Sequence, residues 1–145
     1  MSDRFALRFV LAAGRPTHDA VAPLWADEGV DVTRDPDGVL HLSRDGAPLA
    51  HLDLLLADEG RGRAVLGALS GQVRGSDEAS ESVRFALEHA VGVVIARPVF
   101  ADEASIEPAL DALDPLWAHL FEAHGGLLQV DGEGFHDEDG LVVEA

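Results

Sequence analysis

The sequence contains no cysteine and no lysine. Without thiols there can be no disulfide, no cysteine nucleophile and no thiolate metal site. A core that needs no disulfide suits a reducing compartment, so a cytoplasmic location is expected. Positive charge is scarce: ten arginines stand against 27 acids, for a formal net charge of -17. A field of that sign repels phosphate backbones and anionic lipid, so neither nucleic acid nor a membrane surface is an expected partner. Long apolar runs are also missing. The run Val91–Ala96 is far too short to cross a bilayer. The opening Met1-Ser2-Asp3-Arg4-Phe5 lacks the basic-then-apolar pattern of a signal peptide, and none is expected.

What remains is ample for a hydrophobic core. The 145 residues are 47% hydrophobic, no linker or repeat divides them, and one α+β domain over 1–145 is expected. The charge is uneven along the chain. Residues 1–74 carry eight arginines and eleven acids, whereas residues 75–145 carry two arginines and sixteen acids. The acidic half would steer a basic partner.

Hydrophobic periodicity gives the elements. Phe5, Leu7, Phe9 and Leu11 alternate with Ala6, Arg8 and Val10 as in a strand. Thr17 can cap a helix carrying Val21, Leu24 and Trp25 on one face, closed by Gly29. Val30–Thr33, Val39–Ser43 and Leu49–Leu56 read as an antiparallel meander, with turns at Asp35–Gly38 and Arg44–Ala47. A short helix follows near residues 59–69, despite its glycines. A clearer one begins at Ser76, its expected cap, with Val83, Phe85, Leu87, Ala90 and Val91 as its apolar side. Val93–Ala96 reads as a buried strand. Helical patterns then occupy residues 102–112 and the stretch from Asp114-Pro115 to Gly125-Gly126, as two helices or as one longer helix kinked at Pro115. An acidic strand-and-turn segment, 127–145, closes the chain, with Leu141–Val143 as an edge strand. The expected fold is α+β: a mixed, mostly antiparallel sheet with three to four helices packed mainly on one face.

Two groups of side chains could carry function. In the closing segment, Asp131, Glu133, Asp137, Glu138 and Asp139 crowd around Phe135. The spacing does not match an EF-hand, because Phe135 or Leu141 falls where an oxygen ligand is needed. These acids read instead as steering groups for a basic protein partner, with Phe135 as an apolar anchor. The second group is His41, His51 and Asp53. Counting outward from the turn at Gly46 sets His41 opposite His51, and Asp53 lies two residues along the same strand face. Three such groups could form a metal or acid–base site. No HExxH motif, phosphate loop or Gly-x-Ser-x-Gly elbow is present, and no cofactor is expected. Trp25 and Trp117, on apolar helix faces, read as core.

In size and composition the chain is similar to the small acidic immunity and antitoxin proteins of bacteria, a likeness that implies a non-enzymatic binding role. The alternatives are a small metal-dependent or acid–base enzyme using His41, His51 and Asp53, and a homodimeric accessory domain pairing through its last strand.

Overall fold

A computed structural model describes residues 5–100 and 102–144. Its centre is one eight-stranded sheet in which every neighbouring pair is antiparallel. The strands are β1 (Leu7–Leu11), β2 (Asp31–Arg34), β3 (Leu40–Arg44), β4 (Ala47–Leu56), β5 (Gly92–Pro98), β6 (Gly126–Val130), β7 (Gly134–Asp137) and β8 (Gly140–Glu144). Across the sheet they run β2-β3-β4-β5-β1-β6-β7-β8. The first strand is therefore central, bonded to β5 on one side and β6 on the other.

The helices are a single turn α1 (His18–Val21), then α2 (Gly60–Gln72), α3 (Glu78–Glu88), α4 (Ile106–Asp111) and α5 (Asp114–Ala123). They do not gather mainly on one face. Leu7, Phe9 and Leu11 of β1 point into a core with Val21, Trp25, Leu113, Leu116, Trp117 and Leu120. Ala6 and Val10 point the other way, into a core with Leu66 and Leu69 of α2, Val83 and Leu87 of α3, and Phe135. The central strands are buried on both sides, as the unbroken burial of Val93–Ala96 shows. The continuous apolar run Val93–Ala96, and the stretch Phe5–Leu11 in which Arg8 alone is polar, carry the signal for this, since a one-sided sheet would alternate apolar and polar residues.

Most local expectations hold for their stated reasons. The Thr17 hydroxyl accepts from the Ala20 amide and opens α1, which continues as a 3-10 turn, Ala22–Trp25. Trp25 is fully buried, and its indole N–H donates to the Ala112 carbonyl at 2.6 Å, tying this turn to the α4–α5 layer. Asp45 and Gly46 both take positive φ, the twist that a two-residue hairpin between β3 and β4 requires. Two expectations for α3 change. Asp77, not Ser76, caps it, accepting from the Ser80 amide. The buried face runs Ser80, Val83, Leu87, which leaves Phe85 63% exposed on the far side. Gly62 lets α2 sit on the end of β4: a Cβ there would lie 2.0 Å from the Leu56 carbonyl oxygen.

Candidate functional site

The structure draws the two sequence-derived groups apart in different ways. His41 and His51 meet across β3 and β4, in register, with their Nδ1 atoms 2.7 Å apart. Asp53 does not join them. Its carboxylate is taken by Arg61 of α2 at 2.9 Å and Arg97 of β5 at 3.6 Å. The carboxylate that does join is Asp35, whose Oδ2 lies 2.8 Å from His41 Nε2. The other oxygen of Asp35 accepts from the Asp37 and Val39 amides and so shapes the β2–β3 turn.

The proton placement follows from the chemistry of the partners. An ionised carboxylate only accepts, so His41 Nε2 carries a hydrogen. With both rings neutral, His41 Nδ1 is then a lone pair and His51 Nδ1–H donates to it. The result is a polarised line, His51 to His41 to Asp35, that leaves His51 Nε2 as its free basic nitrogen. Burial, then His41, then Arg97 lower the His51 pKa. The Asp35 pKa is lowered mainly by its bond from His41 and by the Val39 amide. Among the described residues, no group of three or more histidine, aspartate or glutamate side chains is placed to hold a metal ion. Metal binding by His41, His51 and Asp53 together does not fit this geometry, because Asp53 is already committed to two guanidinium groups.

The closing segment also divides. Phe135 is fully buried between β6 and β8 and packs with the α2–α3 core, so it cannot be a surface anchor. Asp131 is part of the fold. Its carboxylate accepts from the Ala6 amide at 3.0 Å, from Arg8 at 2.6 Å and from Gln129 at 3.0 Å. Burial raises its pKa, but the bonds from Gln129, Arg8 and Ala6 outweigh that and hold it low. Asp137 Oδ1 accepts from the Asp139 and Gly140 amides and closes the β7–β8 turn. Glu133, Glu138 and Asp139 are exposed, and Glu133 lies 3.1 Å from His136. Of the remaining acids of the second half, Glu144 lies on β8, and the others lie on and around α3, on one face, and on and around α4 and α5, on the other. They do not form one acidic side.

The apolar group that is exposed here is Leu141, half accessible, on β8. β8 pairs with β7 on one side, and among the described residues nothing pairs with its other side. A depression lined by Gly132, Glu133, Leu141 and Glu144 borders it. A second is lined by Val143 and Glu144, by Gln72, Arg74 and Asp77 of the α2–α3 connection and by Ser80 of α3, so one arginine borders this side of the edge. The opposite edge, β2, is four residues long and carries Asp31 and Arg34, charges that discourage pairing. The sequence points to the β8 edge as a contact between copies of the chain and to Phe135 as an exposed anchor, and the burial of Phe135 rules out the second.

Comparison with protein-family models, with curated proteins and with solved structures finds no match. Among the described residues no helix is long and apolar enough to cross a membrane.

Proposed function

We propose that this chain is a non-enzymatic binding module that adds a basic, extended segment of a partner protein to the outer edge of β8. The observation that carries the reading is the edge itself. β8 offers unpaired backbone groups, the accessible Leu141 side chain, and a surround of Glu133, Asp137, Glu138, Asp139 and Glu144 with no arginine on either β7 or β8. Strand addition takes its affinity from main-chain hydrogen bonds and its selectivity from alternate side chains. The acids supply attraction for positive charge at long range. A second copy is a poorer occupant, because each chain brings a charge of -17 to the contact. Acid–base catalysis is less well supported, because neither His41 nor His51 lines any of the clefts described in this structure.

The test uses the full chain and three labelled ten-residue probes: an alternating valine–arginine peptide, its valine–glutamate counterpart, and a valine–arginine peptide interrupted by proline at equal charge. Fluorescence anisotropy is expected to show saturable binding of the first only, with at least a tenfold loss in Leu141→Arg and a steep loss on adding salt. Equal binding of the proline-interrupted peptide, or no effect of Leu141→Arg, overturns strand addition at this edge.

A further inference from the structure

A cleft at the middle strands of the sheet carries a different kind of site. It lies where β1 and β4 end and β5 begins, with a volume of about 240 Å³ and an apolar lining that includes Leu11, Leu54, Leu56 and Val91. Ligand pockets for larger molecules run about 300–1,000 Å³, so this one suits a small ligand. Its polar rim includes Arg15, His18 and Glu59.

Each rim group has hydrogen-bonding capacity left over. Among the described residues Arg15 makes no ion pair, in a chain where acids outnumber arginines almost threefold. Glu59 uses one oxygen to accept from the Leu56 amide at 3.0 Å and keeps the other. His18 Nε2 lies 2.7 Å from the Gly38 carbonyl oxygen. A carbonyl only accepts, so Nε2 carries a hydrogen, and in the tautomer with that single ring hydrogen Nδ1 is a lone-pair acceptor. The rim therefore offers a guanidinium donor together with two acceptors, one of them anionic, above an aliphatic floor.

We infer that this cleft binds a small zwitterion with an aliphatic side chain, the chemistry of a free branched-chain α-amino acid. Arg15 takes the carboxylate, the preferred partner of a planar guanidinium. Glu59 and His18 Nδ1 take the ammonium, and Leu54, Leu56 and Val91 cover the side chain. A ligand of zero net charge also avoids the repulsion that the protein's field imposes on an anion.

Calorimetric titration of the full chain with L-leucine, 4-methylpentanoate and 3-methylbutylamine separates the contributions. Leucine is expected to bind saturably, and each analogue lacking one charge to bind at least tenfold more weakly. Arg15→Gln should weaken leucine about tenfold and leave 3-methylbutylamine unchanged, while Leu141→Arg should change nothing here. Amide chemical-shift changes on adding leucine should centre on Arg15, Leu56 and Val91. Absence of saturable leucine binding, an analogue that matches leucine, or shifts centred elsewhere overturns the assignment. Failure here leaves the β8 reading standing, since the two sites share no residue.

Discussion

Asp131 distinguishes a structural carboxylate from a steering one, and its removal has a calculable cost. Replacing it with alanine leaves two buried donors without their acceptor: the Ala6 amide and Gln129 Nε2, on residues each 1% exposed. It also removes one of the two acceptors of Arg8, whose Nη1 keeps Gln129 Oε1 at 2.8 Å. A buried donor stripped of its partner costs about 1–3 kcal/mol. Asp131 is itself 29% exposed, so water repairs part of the loss. The net expectation is about 3 kcal/mol, a fall in Tm of roughly 10 °C for a chain of this size. Glu138→Ala, on an exposed turn residue with no such bonds, should move Tm by less than about 2 °C. Urea denaturation at pH 7 measures the free-energy loss, and thermal unfolding at the same pH measures the Tm of both variants. The pH dependence has a defined sign. Because the folded-state pKa of Asp131 is depressed, its contribution is complete above the ordinary aspartate value near 4 and fades as pH falls below it. The wild-type advantage over Asp131→Ala should therefore shrink only at acid pH. A loss under about 1 kcal/mol at pH 7 would refute the argument that this carboxylate holds β1 to β6.

Two further outcomes follow from burial and protonation. Phe135→Ala should destabilise by about 3–5 kcal/mol in urea titration, because the ring is fully enclosed, whereas a surface anchor would cost almost nothing. His51 has a folded pKa below its unfolded value, so the unfolded chain binds more protons in that window and stability rises with pH through it. Unfolding free energy should accordingly fall as pH drops below about 6.5, less steeply in His51→Gln, with the midpoint followed by urea titration at successive pH values.

Much of the fold was legible because its signals are local. The β3–β4 pairing follows from a two-residue turn, and that turn places His41 against His51 by counting alone. Asp35 was not legible as their partner, because its approach depends on the β2–β3 turn geometry and not on strand register. Asp53 was misassigned for the complementary reason: the guanidinium groups that claim it come from α2 and β5, elements whose position no local pattern reveals. The division of helices between two faces depends on where β1 inserts, a question of topology. Phe135 misled because charge density around a residue reports on its turn neighbours, while burial is decided by strand position. A four-residue strand placed between β6 and β8 loses one face to the interior however acidic its flanks are.

The central place of β1 has a consequence for synthesis. During translation the residues of β2, β3 and β4 can pair with one another as soon as they emerge, since only tight turns separate them. β1 must wait. Its neighbours are Gly92–Pro98 and Gly126–Val130, so β1 has no strand to pair with until residue 98 has been made, and none on its second side until residue 130. Closing the sheet around that early segment is therefore expected to follow formation of the β2–β4 meander, with the chain's high negative charge opposing association of neighbouring copies in the interval.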